Sequence, residues 1–110
     1  MFSYFIVKEQ SMEPSCREGD FVLVNRMSYL FSRPKVGHIV VLRDPRDSSQ
    51  HIVKRITVIK DSFIWVEGDN KEKSTDSRNF GWVNVKALLG QAKVIHKTSL
   101  LDRSIIKCRN

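Results

Sequence analysis

The residues best suited to covalent chemistry are a serine near the start of the chain and a lysine near its middle. Ser11 lies in the sequence Ser-Met-Glu-Pro at residues 11–14. A serine nucleophile needs a base that accepts its proton. The familiar local signatures do not supply one, because there is no Gly-x-Ser-x-Gly sequence and Pro14 stands where a Ser-x-x-Lys motif would place its lysine. A base for Ser11 must therefore come from elsewhere in the chain.

Three histidines are the first alternatives for that base. His38, His51 and His96 belong to no motif that includes Ser11, and a Ser-His-Asp set could be assembled from them only by free choice of partners. We therefore interpret all three as surface or packing residues.

Lys54 lies inside an apolar run, residues 51–59, that is typical of a β-strand. Alternate residues of a strand share a face, so Lys54 shares its face with Ile52, Ile56 and Val58. Burial there would lower the pKa of Lys54 and leave a neutral amine that can take a proton from serine. The alternative is an edge-strand lysine whose stem covers apolar surface while its ammonium group reaches water. Taken alone, the strand pattern favours this alternative.

The two cysteines, Cys16 and Cys108, lie near opposite ends of the chain and form neither a Cys-x-x-Cys nor another metal-ligand spacing. We therefore expect no disulfide scaffold, no zinc or other metal site, and no cofactor. Cys16 is interpreted as a small core side chain, and nothing in the sequence assigns a role to Cys108.

The remaining apolar residues predict the strands that would position these groups. They occur in short blocks rich in β-branched and aromatic residues, with turn signals between them. The predicted strands are residues 2–7, 21–24, 38–42, 51–59, 63–66 and 92–96. Helical patterns occur only at residues 27–31 and 85–89, the second ended by Gly90. The sequence therefore predicts a mainly β fold with one or two short helices.

Length and charge limit the classes of protein that fit. The 110 residues predict one domain, residues 1–110, in which 97–110 form a basic tail. Its 19 Lys and Arg against 12 Asp and Glu give a net charge of +7, which favours anionic surfaces. No apolar run reaches the ~20 residues of a membrane span, and the apolar start is too short for a signal peptide. We expect a cytoplasmic protein or one peripheral to the membrane.

Several blocks taken in order resemble the type I signal peptidase family of serine endopeptidases, over roughly residues 4–96. The blocks are Ser11-Met12-x-Pro14, Gly19-Asp20-x-Val22-Leu23-Val24, Gly37-x-Ile39-Val40-Val41, Val53-Lys54-Arg55, Gly68-Asp69-Asn70 and Ser74-Thr75-Asp76-Ser77-Arg78-x-Phe80-Gly81-x-Val83. The last two, at their spacing, are the most specific. They fall in the polar run 68–79, whose turn chemistry alone predicts a solvated loop. The resemblance outweighs both that interpretation and the surface-lysine one.

The resemblance implies a role for each matching residue. Those that would act directly are Ser11 as nucleophile, with its backbone N–H as oxyanion donor, and Lys54 as general base. Those that would support them are Ser74, Asp76, Arg78, Gly68 and Asp69, where Ser74 orients the lysine amine, Asp76 and Arg78 form an ion pair, and the other two form a turn packed beside the site. Met12 and Pro14 would shape the nucleophile turn at the substrate cleft. The implied fold is the signal peptidase/LexA-like catalytic domain of coiled β-sheets.

The implied function is removal of an N-terminal signal or leader peptide from a precursor protein through an acyl-enzyme, with a Ser-Lys dyad. Lys54 sets the chain apart from the archaeal and endoplasmic-reticulum branch, which has histidine there. Short members without a membrane anchor resemble the maturation protease of nickel superoxide dismutase, and this is the alternative within the family. We expect the precursor as partner, with peripheral contact to an anionic membrane left open, and no nucleic acid. Nothing indicates an oligomeric state.

One departure from the family pattern concerns the residue two positions before the nucleophile. Family members usually have Gly or Ser there, whereas this chain has Glu9. An ionised carboxylate cannot donate a hydrogen bond to an oxyanion, so the oxyanion would depend mainly on the Ser11 N–H. Glu9 is also the one feature that favours an inactive peptide-binding module.

A LexA-like self-cleaving regulator is the remaining alternative, because such regulators share the Ser-Lys chemistry. The chain has no Ala-Gly or Cys-Gly dipeptide for self-cleavage, and no helix-turn-helix pattern precedes its strands. We therefore place the peptidase first.

Overall fold

The computed structural model describes residues 2–96, which form a mainly β fold with two short helices. The strands are β1 (Phe2–Ile6), β2 (Phe21–Asn25), β3 (Ile39–Asp44), β4 (Asp47–Lys60), β5 (Phe63–Glu67), β6 (Val83–Asn84) and β7 (Leu88–Ile95). The helices are α1 (Ser28–Phe31) and α2 (Ser77–Phe80). All seven strands belong to one antiparallel sheet in the order β1-β2-β7-β3-β4-β5-β6.

The central strands β3 and β4 are apolar on both faces, and each face packs into its own core cluster. One cluster is built around Val40, Leu42, Ile52, Ile56, Ile64, Val66 and Val83. The other contains Met12, Cys16, Val22, Val24 and Val41. Burial of aliphatic side chains on both faces fixes the register, because a shift of one residue would exchange every side chain between the clusters.

The long strand β4 changes partners halfway along its length. Residues 47–55 pair with β3, whereas residues 55–60 pair with β5. In the described part of the chain, residues 47–54 therefore have a strand on one side only. β1 also has a single neighbour, β2. The sheet is curled, so the free edge of β1 faces the free edge of residues 47–54 in β4. Between these edges the ring centres of Phe5 and His51 lie 5.1 Å apart.

The six predicted strands are all present, and the predicted turn at residues 27–31 is α1. The predicted helix 85–89 with a stop at Gly90 is wrong. Residues Val85–Ala87 form a single 3-10 turn, and Gly90 lies buried inside β7. A Cβ at Gly90 would collide with the backbone carbonyl of Asn25 on β2, so this glycine permits close strand approach.

Three elements were not predicted from the sequence, namely α2, the two-residue strand β6 and a 3-10 turn at Lys71–Lys73. The predicted face of β4 is correct for Ile52, Lys54 and Ile56, which are buried. It is wrong for Val58, which is exposed because the pairing with β5 shifts by one residue between Ile56 and Val58. Across residues 2–96, no helix has both the length and the apolar character needed to cross a bilayer.

Candidate active site

Ser11 begins a tight turn that follows β1. The N–H of Glu13 donates to the carbonyl of Gln10 at 3.2 Å, and the N–H of Cys16 donates to the carbonyl of Met12 at 3.0 Å. Met12 and Cys16 are buried in the core, which anchors the turn, while Pro14 is exposed on its outer side. Ser11 itself is largely buried, with 5% of its surface exposed.

The turn after β5 packs directly against Ser11. The N–H of Asn70 donates to the Ser11 carbonyl at 2.8 Å. A Cβ at Gly68 would collide with that same carbonyl and with the side chain of Ser74. Only glycine permits this approach, so Gly68 is the point where the Ser11 turn and the Ser74 loop meet.

Lys54 reaches this point from the middle of β4. It is among the largest fully buried side chains, with 1% of its surface exposed. Its Nζ donates to Ser74 Oγ at 3.2 Å. Burial lowers the pKa of Lys54, and the nearby Arg46 guanidinium lowers it too, while Glu9, Asp76 and Asp44 act in the opposite direction. Loss of solvation is the largest of these effects, so the net change favours the neutral amine.

Ser74 is held by a carboxylate on its other side. Its hydroxyl donates to Asp76 Oδ2 at 2.7 Å, which leaves its oxygen lone pairs to accept from Lys54. The Gly68 N–H donates to the same carboxylate oxygen at 3.0 Å. The described residues thus form a chain of hydrogen bonds from Lys54 through Ser74 to Asp76.

Asp76 is fully buried and makes the predicted ion pair with Arg78, with Nε to Oδ1 at 2.9 Å. Burial tends to raise the pKa of Asp76, but hydrogen bonds from Arg78, Ser74 and Gly68 outweigh it and hold the pKa well below its usual range. Asp76 also caps α2, because its carboxylate accepts from the Arg78 N–H while its own N–H donates to Asn79 Oδ1. The polar run is therefore not a simple solvated loop: Gly68, Asp76 and Ser77 are buried beside the site, whereas residues 71–73, 75, 78 and 79 are exposed.

Asp69 joins three segments around the site through hydrogen bonds that the sequence did not predict. Arg55 donates to both of its carboxylate oxygens at 2.9 Å, and Ser15 Oγ donates to Oδ2 at 2.5 Å. This pair connects β4, the turn after β5 and the Ser11 turn. Ser15 and Arg55 were missed by sequence reasoning, although Arg55 follows Lys54 within a motif block and points to the opposite face of β4.

Ser11 and Lys54 come to the same place without a direct hydrogen bond. Within residues 2–96, neither the hydroxyl nor the backbone N–H of Ser11 is hydrogen-bonded. Catalytic hydrogen bonds are often formed only when substrate is bound. An unpaired hydroxyl beside a buried amine, with an unpaired N–H on the same residue, is an arrangement suited to nucleophilic attack on a carbonyl.

A cleft of about 530 Å³ leads to Ser11 between the two free strand edges. It is lined by residues 4–9, 11, 12, 16 and 49–53; we call it the β1 cleft. Alternate residues of an edge strand direct unpaired N–H and C=O groups outward, so an extended peptide in the β1 cleft can add to the sheet.

The three histidines lie outside this hydrogen-bond chain. His38 contacts the Tyr29 hydroxyl at 2.8 Å, His96 contacts Asp20 at 3.0 Å, and His51 packs on Phe5 in the β1 cleft. In the part of the chain that the structure describes, none is hydrogen-bonded to Ser11 or Lys54.

Cys16 is a core side chain, as interpreted from the sequence. It is fully buried, and burial, together with nearby Asp20, raises the pKa of its thiol to about 11. A thiol with so high a pKa is largely protonated and therefore unreactive near neutral pH. Cys108 lies outside the described residues.

Comparison with known proteins gives a consistent result. Residues 1–60 and 57–97 match the signal peptidase family, peptidase S26. The chain is 34% identical to mitochondrial inner membrane protease subunit 1 of Schizosaccharomyces pombe over 115 aligned positions, which cover 86% of this chain and 72% of that protein. It is 29% identical to mitochondrial ATP-independent inner membrane protease subunit 1a of Arabidopsis thaliana, covering 67% of this chain and 57% of the plant protein.

A third relative is signal peptidase I of Aquifex aeolicus, which is 36% identical over 52 residues, or 47% of this chain and 20% of that protein. The chain thus spans little more than half of the plant relative and a fifth of the Aquifex one, but nearly three quarters of the fission yeast one.

Proposed function

Because this chain belongs to the signal peptidase family, peptidase S26, we propose that it is a serine endopeptidase that removes an N-terminal signal or leader peptide from a precursor protein. Ser11 is the nucleophile and Lys54 the general base. The observation that carries the proposal is the buried Lys54 amine, which is hydrogen-bonded to Ser74 beside the Ser11 turn.

Acylation begins with neutral Lys54. The amine donates one N–H to Ser74, which fixes its orientation and leaves its lone pair for the Ser11 proton. As that proton moves to Nζ, Ser11 Oγ forms a bond to the carbonyl carbon of the scissile peptide. The tetrahedral intermediate then breaks its C–N bond, and the new Lys54 ammonium returns the proton to the departing amine.

The oxyanion of this intermediate is stabilised by the Ser11 N–H, which has no hydrogen-bond partner among residues 2–96. Deacylation repeats these steps with water as the nucleophile. Lys54 accepts a proton from water as the water oxygen attacks the acyl-enzyme ester, and it returns that proton to Ser11 Oγ when the ester bond breaks. Asp76 stays ionised throughout, and its hydrogen bonds keep Ser74 turned toward Lys54.

Substrate binds in the β1 cleft as an added strand. The free edges of β1 and of residues 47–54 in β4 lie on its two sides, so both can pair with an extended peptide. Met12 closes the floor of the cleft beside Ser11. The family resemblance implies a preference for small side chains one and three positions before the cut bond, which an extended strand in this cleft would present.

The identity of the precursor is a finer assignment. The curated relatives are named as mitochondrial inner membrane proteases and a signal peptidase I, which supports a signal or leader peptide of a transported protein. The alternative is the leader of a nickel superoxide dismutase precursor, because short family members that carry a block like Ser74-Thr75-Asp76-Ser77-Arg78 resemble its maturation protease. Incubation of the protein with both kinds of precursor, followed by sequencing of the new N-terminus, distinguishes the two.

We also propose peripheral contact with an anionic membrane surface. Phe2 and Tyr4 on β1 are 62% and 69% exposed, next to the cleft that would receive the substrate, whereas Phe5 turns inward onto the core. The basic tail 97–110, which the sequence also nominates for this contact, lies outside the described residues. Sedimentation with acidic vesicles tests the proposal, because binding should fall in Phe2→Ser/Tyr4→Ser and at high salt, and equal binding to neutral vesicles would contradict it.

The central experiment is cleavage of a peptide with alanine one and three positions before the expected cut. We expect hydrolysis at that bond by the purified protein, detected by mass spectrometry, and none by Ser11→Ala. Hydrolysis that persists in Ser11→Ala would contradict the proposal. A peptide that binds but is never cut would favour an inactive binding module.

A further inference from the structure

Two cavities share the residues that directly precede Ser11. One is the β1 cleft. The other, of about 450 Å³, is lined by Gln10 and Thr75 together with five charged residues, Lys8, Glu9, Glu18, Arg46 and Lys73. We call it the charged pocket. Lys8 and Glu9 line both cavities. A peptide that lies in the β1 cleft and continues past Ser11 into the charged pocket must therefore pass Glu9.

Glu9 is exposed and has no hydrogen bond or salt bridge to any other residue in the range 2–96. It nevertheless lies within electrostatic range of the reacting groups, since its carboxylate raises the pKa of Lys54 more than either Asp76 or Asp44 does. Because Lys54 is buried next to the Ser11 turn, a carboxylate that acts on Lys54 also lies near the position of the cut bond. Glu9 thus presents to whatever lies beside Ser11 a negative charge that has no hydrogen bond or ion pair among residues 2–96, although the Arg46 guanidinium also lies within electrostatic range of it.

The other charged side chains of the pocket are less suited to receive substrate. Arg46 is held by Asp44 through two hydrogen bonds, at 3.0 and 2.8 Å, and its guanidinium lies 5.9 Å from the centre of the Phe80 ring. Lys8, Lys73 and Glu18 are exposed. Lysine carries its charge on a flexible stem that can turn to water. Glu9 has a shorter side chain and lies two residues from the nucleophile.

On the basis of the proposed function, we propose that Glu9 selects substrates with a basic side chain at the first position after the cut bond. In the proposed function the residues before the cut bond pair with the free edges of β1 and β4 in the β1 cleft, so the residues after it continue past Ser11 into the charged pocket. Lysine or arginine at the first of these positions would form an ion pair with Glu9, and an acidic residue there would be repelled.

The expected preference is moderate because Glu9 is exposed. A pair of opposite charges near a surface is worth a roughly twofold to fivefold change, and salt weakens it; the attraction of lysine and the repulsion of glutamate add in the ratio of the two peptides. We therefore expect kcat/KM for a peptide with lysine at this position to exceed that of its glutamate counterpart by about tenfold. The ratio should fall close to one in Glu9→Gln and invert in Glu9→Lys. Glu72→Gln, an equal charge change on an exposed residue that lines neither cavity, should keep the wild-type ratio.

A binding measurement separates this inference from the proposed function. Three peptides that differ only in having lysine, glutamine or glutamate at the first position after the cut bond are used. Their binding to Ser11→Ala and to the double variant Ser11→Ala/Glu9→Gln is measured by fluorescence anisotropy. If the lysine peptide binds more tightly than the others and this difference disappears with Glu9→Gln, the inference is supported. Failure of the wild-type protein to hydrolyse any of the peptides would overturn the proposed function but not this inference. Equal Kd values for all three peptides would overturn the role of Glu9 while Ser11-dependent hydrolysis still supports the proposed function.

Discussion

Lys54 and Ser74 are twenty residues apart in sequence, yet Lys54 Nζ donates to Ser74 Oγ at 3.2 Å inside the protein. The contact joins the middle of β4 to the loop before α2. It gives the amine a fixed direction without giving it a counter-ion, because the Asp76 carboxylate lies one hydroxyl further along the chain of hydrogen bonds. A buried lysine in such a place is held near a negative charge but not ion-paired to it, which keeps its neutral form accessible.

The first prediction concerns the identity of the base. Lys54→Arg should lower kcat/KM by about 100- to 10,000-fold, because a guanidinium does not lose its proton in a protein. Activity is measured on the alanine-containing peptide, and Lys60→Arg on the exposed end of the same strand serves as the control. Activity close to wild type in Lys54→Arg would exclude Lys54 as the base.

The second prediction concerns pH. Only neutral Lys54 can accept the Ser11 proton, and its pKa is lowered chiefly by burial. Activity should therefore be low at acidic pH and rise through a midpoint below the 10.5 of an ordinary lysine. The profile of kcat/KM against pH measures this midpoint. A midpoint at or above 10.5 would mean that the amine is solvated.

The third prediction follows from the same lowered pKa but concerns stability. Between the pKa of Lys54 in the folded protein and the 10.5 of the unfolded chain, the unfolded state binds more protons, so stability rises with pH across this window. Lys54→Met removes the buried amine and should raise the Tm at neutral pH, with a gain that shrinks as pH approaches 10.5. Thermal unfolding at several pH values tests this, and a gain that grows with pH would contradict it.

The fourth prediction separates Ser74, in the loop before α2, from Ser77, the first residue of α2. Ser74 and Ser77 each use their hydroxyl once as an acceptor, from Lys54 and from the Val66 N–H respectively. Ser74→Ala should reduce kcat by roughly tenfold or more with little change in KM, because the amine loses its orientation. Ser77→Ala should instead lower stability by about 1–3 kcal/mol, since it leaves a buried N–H without a partner, and keep kcat. Equal effects of both changes on kcat would argue against an orienting role.

The fifth prediction concerns Asp76. Asp76→Ala removes the acceptor of Ser74, Gly68 and Arg78 at once, so we expect a loss on the order of 3 kcal/mol together with lower activity. Asp47→Ala, at the exposed start of β4, is the control. Denaturant unfolding and peptide cleavage measure the two effects. Wild-type stability and activity in Asp76→Ala would show that the carboxylate supports neither the loop nor the site.

The sequence by itself determined the mainly β fold, the family, and the face of β4 on which Lys54 lies. These are properties of neighbouring residues: strand alternation spans a few positions, and the family motifs are short blocks in a fixed order. The family predicted from those blocks is confirmed, and the burial of Lys54 follows the predicted alternation as far as Ile56.

Only the tertiary structure decided which distant groups meet. The contact of Gly68 with the Ser11 carbonyl, the pair of Arg55 with Asp69, and the shared position of Glu9 between two cavities depend on how the sheet curls and where the registers shift. The same applies to Gly90, whose neighbourhood in the chain resembles a helix end but whose packing against β2 makes it part of a strand. The local alternation of apolar residues predicts which face of a strand a side chain occupies. Contacts between distant elements depend instead on how both core clusters are buried together, which no short stretch of sequence determines.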